Sequence, residues 1–271
     1  MKSNSEKPRK LTGTEPLARY ISEHKRLGNL LSFVLALAAT IDNNPKIAMR
    51  ALADVDKKGG ENELEEQLKK ADQEGAVSAF GGHFHLVKDM LVCRAVDNYL
   101  CYVTDLLSAI FRKRPETLKS NDQIRLDQVL AHDDMDALIS FIADKKVNEL
   151  AYQSMVDLKR YLKERLGFDL FKNEEQENEI IRAVLIRNHL VHTRGRISEK
   201  LLKTYSDPKL EVGDEIKLGT SETFDIILSL LGSAESIDVA ASSKYGLPTT
   251  AIEFWEPFSS IRPKKIKSNL A

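Results

Sequence analysis

Apolar side chains return every three or four positions along most of this chain, which is the spacing of an amphipathic helix. The longest such stripe covers residues 84–111 and predicts one bundle helix about 42 Å long. An earlier stripe runs from Leu27 to Ile41 and ends where Asn43, Asn44 and Pro45 interrupt it. Because the 13 glycines and 8 prolines are few for this length, turn-rich sandwiches and barrels are disfavoured, and we predict an all-α fold.

Two local signals refine this picture. Asn173 and Gln176 form a capping pair at the start of a strongly apolar helix, and Gly195 is a natural stop at its end. Between residues 210 and 218, apolar residues flank Gly213 and Asp214, which predicts one small β-hairpin.

Glycines between residues 75 and 82 mark the most suitable place to divide the chain. We predict an N-terminal helical extension of unknown role at residues 1–80 and a helical domain at residues 81–245. The remaining residues, 246–271, form a C-terminal segment with a basic tail.

Composition and charge exclude several classes of function. The chain has 40 Lys and Arg against 41 Asp and Glu, so any site for a polyanion must be local. The apolar run that ends at Ile41 is too short to span a bilayer, so we expect a cytoplasmic protein that contacts no membrane. Cys93 and Cys101 lie too far apart on one helix to form a disulfide, and we expect both in the core. Phosphate-loop, dinucleotide and hydrolase-elbow motifs are absent from the sequence.

One helical segment combines unusual apolarity with reactive side chains. Between residues 180 and 191, apolar side chains occupy every face, so we expect this helix to be buried on all sides. Arg187, Asn188, His189 and His192 interrupt it. A buried guanidinium beside imidazoles is costly unless it is paired or lines a cleft, so their presence indicates a site.

Helical geometry constrains how these groups can meet. Asn188 and His192 are four residues apart and share a face, so Asn188 can hydrogen-bond the imidazole and set its tautomer. Arg187 lies about 140° from His192 around the helix axis. The two come together only if the helix loosens near Gly195, or if a second copy brings its own pair alongside in a symmetric dimer.

The run Arg187-Asn188-His189-Leu190-Val191-His192 reads R-N-x-x-x-H and resembles the signature of the HEPN superfamily, in its large standalone bacterial form. Residues 195–202 look like the continuation in that family, and residues 86–100 are similar to its opening helix. The resemblance covers about residues 84–220 and implies a HEPN-like helical bundle.

The resemblance also implies a function. HEPN endoribonucleases act as homodimers without metal or cofactor, and cut RNA by attack of a ribose 2′-oxygen on the adjacent phosphate. In this chain His192 would be the general acid or base, Arg187 would grip the phosphate, and Asn188 would orient His192 or the ribose. We expect a role in bacterial defence or toxin-type growth control, with an antitoxin or a defence-system protein as a further partner.

Local charge agrees with an RNA substrate, because residues 182–203 carry a net charge of +5 in a nearly neutral protein. We therefore expect His189, Arg194 and Arg196 to contact the substrate. Arg194 occupies the position at which some HEPN toxins carry a tyrosine that a nucleotidyltransferase antitoxin modifies. That particular type of antitoxin is therefore disfavoured.

Alternatives remain open at this point. Arg187 could be structural, paired with an acid such as Asp97, with the histidines satisfied in the core. The chain could also be a catalytically inactive HEPN module that binds a nucleotide or a protein partner.

A zinc site is a further alternative, since His189 with His192, or His83 with His85, could each supply two ligands. No cysteine pair or H-E-x-x-H motif accompanies them, so we predict no metal site. We expect His24 to lie on the surface.

Overall fold

The computed structural model describes residues 9–55, 66, 70, 75–120, 123–151, 153–203 and 211–254. Strand β1 (Arg9–Thr14) leads into helix α1 (Glu15–Val55), and helices α2 (Ala76–Gly82) and α3 (Phe84–Lys113) follow. A 3-10 turn (Pro115–Leu118) precedes α4 (Leu126–Leu130), α5 (Met135–Ala151) and α6 (Met155–Tyr161), and α6 continues as a π-helical turn (Leu162–Leu166). The last elements are α7 (Glu174–Thr193), α8 (Glu199–Leu202), α9 (Thr220–Tyr245) and β2 (Thr249–Phe254).

The all-α prediction is confirmed, with one small antiparallel sheet as expected. The sheet pairs β1 with β2, so that Arg9 lies opposite Phe254 and Thr14 opposite Thr249. Its position therefore differs from the hairpin predicted at residues 210–218.

The described part of that hairpin segment pairs with the loop after α7 instead. Ile197 N donates to the Asp214 carbonyl at 2.8 Å, and Ile216 N donates to the Gly195 carbonyl at 2.9 Å. Gly213 adopts φ +99° at the turn, a conformation that suits glycine. The turn at Gly213 was correctly predicted, but the segment that follows it pairs with residues 195–197 rather than with the residues just before the turn.

Helix α3 forms the centre of the bundle and matches the predicted helix over residues 84–111 closely. It packs against α1, α5, α7 and α9. Its buried side chains follow helical spacing, with Val92, Val96, Tyr99 and Ile110 fully covered. This packing explains why the periodic signal was strongest here.

Helix α1 passes through the predicted break at residues 43–45, so that prediction is wrong. Asp42, the residue before this predicted break, accepts hydrogen bonds from Ala76 N at 2.6 Å and Val77 N at 2.8 Å. This contact attaches the start of α2 to α1 where local sequence predicts a stop.

The start of α1 is fastened to α9 by a buried carboxylate. Thr14 N donates to Asp238 Oδ2 at 2.9 Å, and the Thr14 hydroxyl donates to Asp238 Oδ1. Burial raises the pKa of Asp238 above its usual range. The carboxylate lies at the N-terminus of a 41-residue helix, where the helix dipole favours negative charge.

His24 is buried, with 3% of its surface exposed, so its predicted surface position is wrong. Asn98 on α3 donates to the Tyr20 carbonyl at 2.9 Å and lies 2.8 Å from His24 Nδ1. Nδ1 also lies 3.2 Å from the Tyr20 carbonyl, which only accepts, whereas the Asn98 amide nitrogen only donates. The shorter contact, with Asn98, favours Nδ1 as the acceptor. Burial lowers the pKa of His24 to about 4.

The two cysteines are both free, as expected from their spacing. Cys93 is half-buried and Cys101 is exposed, so the prediction that both lie in the core is wrong. None of the described helices combines the length and apolar content that a membrane span needs.

The division at residue 80 stays a prediction. Leu17, Tyr20 and Ile21 of α1 share one hydrophobic core with α3 and α9. The basic tail predicted within residues 246–271 begins beyond β2 and lies outside the described residues.

Candidate functional site

Helix α7 carries the R-N-x-x-x-H motif at the edge of the bundle. Its N-terminus is capped as predicted, because Gln176 N donates to Asn173 Oδ1 at 2.9 Å. Gly195 N closes its other end by donating to the His189 carbonyl at 2.9 Å. The motif thus lies in the last two turns of a helix with defined ends.

The prediction that α7 is buried on all sides is wrong. Only Ile180, Ala183 and Ile186 are buried, whereas Val191 is 50% exposed and His192 is also exposed. The apolar residues on the other face are half-buried. An apolar sequence alone cannot distinguish a core helix from one that presents an apolar face at the surface.

Arg187 connects α7 to α3. Its Nε donates to Asp97 Oδ1 at 2.8 Å, and its Nη1 donates to Asn188 Oδ1 at 3.0 Å. The Arg187 side chain is 24% exposed and that of Asp97 is 37% exposed. The structural partner considered from sequence is therefore present, while part of the guanidinium still faces solvent.

Asn188 is oriented by Arg187. Its side-chain oxygen accepts from the guanidinium, and a bond between Asn188 and His192 is not among those that the described residues make. A charged donor on the preceding residue is a stronger partner than a neutral imidazole four residues away. The expected orientation of His192 by Asn188 is thus not found within this chain.

His192 lies exposed in the final turn of α7. The helix stays regular to Thr193, and the left-handed residues Arg194 and Gly195 begin only after it. Arg187 and His192 therefore remain about 7.5 Å apart along the axis and on different sides of the helix. The loosening of the helix that could have joined them does not occur.

His189 has both ring nitrogens engaged within the protein. Nδ1 lies 2.8 Å from the Leu185 carbonyl, and Nε2 lies 2.6 Å from Ser198 Oγ. Since a carbonyl only accepts, Nδ1 carries the proton and the Ser198 hydroxyl donates to Nε2. His189 thus links α7 to the start of α8, and its predicted substrate contact stays a prediction.

Ser198 was missed as a member of this site. Its Oγ also accepts from Leu201 N at 3.3 Å, so it caps α8 while it holds His189. The sequence Ser198-Glu199-Lys200-Leu201 is a helix-start signal that could have located the cap. No local pattern could have revealed the contact with His189.

Arg194 and Arg196 are exposed beside the end of α7. Arg194 adopts φ +55° and is the only residue other than glycine with positive φ among the described residues. Arg196 Nη1 donates to the Gly213 carbonyl at 3.4 Å. Arg182, by contrast, forms an ion pair with Glu222. Fewer of the cations at residues 182–203 are therefore available to RNA phosphates than the net charge of that segment indicates.

The opposing face of α3 presents Asp89, Cys93 and Asp97 at helical spacing. Burial raises the pKa of Cys93 to about 11, with the negative charge of Asp97 adding to the effect and Arg187 opposing it. Burial also raises the pKa of Asp89. The Cys93 thiol therefore stays protonated near neutral pH and is a poor nucleophile.

The two histidine pairs considered as zinc ligands, His189 with His192 and His83 with His85, acquire no third ligand among the described residues. Among the described residues, no group of three or more His, Cys, Asp or Glu side chains is arranged to hold a metal ion. His83 ends α2, and His85 lies in the first turn of α3, where both are exposed.

Comparison of the chain with models of protein families, with curated protein sequences and with solved structures finds no match. The HEPN resemblance therefore rests on the residues of the motif and their surroundings.

Proposed function

We propose that this protein is a HEPN-type, metal-independent endoribonuclease that cleaves RNA as a homodimer. The observation that carries the proposal is the arrangement at the end of α7. Arg187 is held in place by Asp97 at 2.8 Å, and His192 is exposed to solvent five residues further along the same helix. These groups can be approached from outside rather than being sealed in the core.

The chemistry follows from the residue types. A neutral imidazole removes the proton from the ribose 2′-hydroxyl while the 2′-oxygen attacks the adjacent phosphorus. A new P–O bond closes the 2′,3′-cyclic phosphate, and the bond to the 5′-oxygen breaks as an imidazolium protonates that oxygen. The Arg187 guanidinium offsets the charge that develops on the phosphate oxygens.

The regular geometry of α7 argues for two copies in this site. Arg187 and His192 lie about 140° apart on one helix, so one protomer cannot direct both at the same phosphate. A two-fold axis beside α7 would place Arg187 of one copy near His192 of the other. It would also supply two imidazoles, one to accept a proton and one to donate a proton.

Arg194 and Arg196 extend the phosphate site along the RNA. Both are exposed next to His192, and the left-handed conformation of Arg194 costs about 1–2 kcal/mol relative to a relaxed residue. Residues in strained conformations cluster at binding and catalytic sites. We propose that the charge of Arg194 contributes to RNA binding at this position.

The biological setting belongs to the same proposal. We place the protein in the bacterial cytoplasm, in phage defence or in toxin-type growth control, with an antitoxin or defence-system protein as regulator. The setting rests on the resemblance of the motif alone.

A second candidate function is supported by the contacts of the motif. The Arg187 side chain already has Asp97 and Asn188 as partners, and His189 is held by Leu185 and Ser198. These bonds suit a catalytically inactive HEPN module that binds a nucleotide or a protein. Cleavage chemistry separates the two candidates.

The deciding experiment incubates the purified chain with RNA in the presence and absence of EDTA and analyses the fragment ends. We expect cleavage that EDTA does not prevent and fragments that end in 2′,3′-cyclic phosphate. His192→Ala should abolish cleavage with no loss of stability beyond about 0.5 kcal/mol, because exposed side chains contribute little to folding.

His83→Ala is the matched control, since His83 is also exposed but lies at the end of α2. It should cleave RNA at the wild-type rate. RNA that stays intact with the wild-type chain, inhibition by EDTA, or full activity of His192→Ala would each overturn the nuclease proposal.

A further inference from the structure

Ser198 and His189 form a hydrogen-bonded pair at the junction of α7 and α8, and the RNA cleavage proposed above assigns no chemistry to this pair. The Ser198 hydroxyl donates to His189 Nε2 at 2.6 Å, and His189 Nδ1 donates to the Leu185 carbonyl at 2.8 Å. A hydroxyl, an adjacent base and a third group that orients the base are the arrangement of an activated serine nucleophile. The pair therefore has the geometry for chemistry as well as for joining two helices.

The Leu185 carbonyl fixes His189 in the tautomer that can act as a base. Because Nδ1 carries the proton, Nε2 presents its lone pair to the Ser198 hydroxyl and can take up its proton without rotation of either side chain. Leu201 N donates to one lone pair of the Ser198 oxygen at 3.3 Å, and the second lone pair remains for attack on a substrate. A carbonyl stabilises the imidazolium less than a carboxylate would, so we expect a slow enzyme.

Both members of the pair can be reached from solvent. Ser198 and His189 are half-buried and not sealed in the core. The backbone of Ser198 is extended, at φ −97° and ψ 164°, and the preceding Ile197 is 2% exposed. Because side chains alternate along an extended segment, Ile197 points into the core, and Ser198 shares the outer side with Arg196.

Arg196 supplies a cation on that outer side. Among the described residues its side chain makes one hydrogen bond, from Nη1 to the Gly213 carbonyl at 3.4 Å. Glu215 lies opposite Arg196 in a β-bridge, but the two form no ion pair in the described part of the chain. The remaining N–H groups of the guanidinium can therefore bind a negatively charged group of a substrate.

We propose that Ser198 and His189 are the nucleophile and the general base of a serine esterase site, with Arg196 binding the negative charge of an anionic ester. The inference goes beyond the proposed function, because the site requires neither RNA nor a second copy of the chain. Its substrates are small esters that carry a carboxylate or another anionic group.

The reaction has two halves. In the first, Ser198 Oγ attacks the carbonyl carbon of the ester while its proton passes to His189 Nε2. The bond from that carbon to the alcohol oxygen breaks, and the imidazolium protonates this oxygen, which leaves an acyl group on Ser198. In the second half, water attacks the acyl carbon and gives a proton to Nε2. That proton returns to Oγ as the acyl bond breaks, so one ester and one water yield one alcohol and one carboxylic acid.

A fluorophosphonate probe tests the nucleophile on the full chain without RNA. The oxygen of an activated serine attacks phosphorus and displaces fluoride, and peptide mass spectrometry locates the label and measures its rate. Ser154 is the internal reference, since it is exposed and also caps a helix, but its hydroxyl donates to Asp157 instead of an imidazole. We expect Ser198 to be labelled about 100-fold faster than Ser154, because a positioned general base contributes at least this factor.

His189→Gln tests the base. Glutamine can hydrogen-bond the Ser198 hydroxyl but cannot take up its proton, so labelling of Ser198 should slow by about 100-fold. His83→Gln is the matched control, because His83 is exposed at the end of α2, and it should leave the labelling rate unchanged. Circular dichroism establishes that both variants are folded. Unchanged labelling in a folded His189→Gln variant overturns the proposal, and so does a wild-type rate at Ser198 no higher than at Ser154, which decides the question even if the variant does not fold.

Two chromogenic esters that differ only in charge test the substrate class. We expect kcat/KM for 4-acetoxy-3-nitrobenzoate to exceed that for the neutral 4-acetoxy-3-nitrobenzamide by about 10-fold, as one charge-assisted contact provides. Arg196→Gln should remove most of this preference, whereas Arg112→Gln, in the last turn of α3, should keep it. Equal kcat/KM for the two esters, or hydrolysis of neither, would contradict the assignment. Because no RNA is present, the result is independent of whether the chain cleaves RNA.

Discussion

Arg187 is the residue on which the proposed chemistry depends most, and Asp97 sets its direction. The bond from Nε to Asp97 leaves Nη2 as the end of the guanidinium that can reach a phosphate. Asp97 therefore acts as a positioning residue for Arg187 in the proposed reaction. Because both side chains retain some exposure to solvent, their ion pair is screened and its contribution to folding is modest.

We predict that Asp97→Asn lowers the free energy of unfolding by about 1 kcal/mol, since the charge-assisted bond to Arg187 is weakened. Urea denaturation measures the change. Asp105→Asn is the control, because Asp105 is exposed on the same helix, and it should change the free energy of unfolding by less than about 0.5 kcal/mol. Equal effects of the two substitutions would show that the Arg187 contact contributes nothing specific.

His24 gives the fold a specific dependence on pH. Its pKa is lowered by burial to about 4 in the folded protein, from an ordinary value of 6.5. Between these values the unfolded chain binds a proton that the folded chain does not bind. We predict that the free energy of unfolding decreases by up to about 3 kcal/mol as the pH falls from about 6.5 to about 4.

Other groups titrate in the same pH range, so the contribution of His24 is measured by comparing wild type with a variant that lacks this imidazole. His24→Gln keeps a polar side chain opposite Asn98 but cannot take up a proton. Measured by urea denaturation, the free energy of unfolding of His24→Gln should fall less steeply between about pH 6.5 and about pH 4 than that of wild type, by the uptake of one proton. Parallel pH profiles for the two proteins would exclude His24 as the source.

At the scale of single elements, the junction between α7 and α8 depends on Ser198. Its hydroxyl caps α8 and also donates to His189 at 2.6 Å. We predict that Ser198→Ala lowers the free energy of unfolding by about 1–2 kcal/mol. In a double-mutant cycle with His189→Phe, the combined loss should be smaller than the sum of the single losses.

Additive losses in that cycle would mean that Ser198 acts only as a helix cap. Ser154→Ala provides the reference value for such a cap, since Ser154 accepts from Asp157 N at the start of α6. We expect its loss to be additive with that of His189→Phe.

The end of α7 contains a residue in an unfavourable conformation. Arg194 adopts φ +55°, where glycine is the preferred residue. We predict that Arg194→Gly raises the free energy of unfolding by about 0.5 kcal/mol, because relief of strain exceeds the added freedom of the unfolded chain. If Arg194 also contacts RNA, the same variant should bind a non-cleavable 2′-deoxy-substituted RNA more weakly.

Arg196→Gly is the control for that prediction. Arg196 pairs with Glu215 in a β-bridge, so the glycine variant should be destabilised rather than stabilised. Stabilisation by both substitutions, measured by urea denaturation, would exclude relief of strain at Arg194 as the cause.

The elements differ in how well their sequences predicted them. Helix α3 was located closely, because its period reflects packing on several sides, and the cap of α7 follows from Asn173 itself. The break predicted in α1 was wrong, because helix-breaking residues are a weak local signal and α1 continues through them. The burial of α7 was overestimated because residues such as Val191 are apolar but exposed.

The candidate site shows the same distinction. Arg187, Asn188 and His192 were found from sequence because they are close together on one helix. Their partners were harder to find: Asp97 lies 90 positions away and was named only as one possible acid, and Ser198 was missed. Hydrogen bonds between distant segments leave no periodic pattern in a sequence.

At the scale of the whole molecule, α9 holds the start of α1 in place through Asp238. We predict that Asp238→Ala lowers the free energy of unfolding by about 3 kcal/mol, because Thr14 then loses two buried hydrogen bonds. Thermal unfolding measures the loss. Asp225→Ala, on the same helix but exposed, should have an effect below about 1 kcal/mol.

The contact between Thr14 and Asp238 spans 224 positions along the chain. During synthesis, β1 and the first turn of α1 leave the ribosome long before α9 and β2 exist. Their closing contacts must therefore wait until α9 has been translated, and contacts of such long range slow folding. A nascent chain stalled before α9 would lack the hydrogen bonds that hold the start of α1 against the bundle.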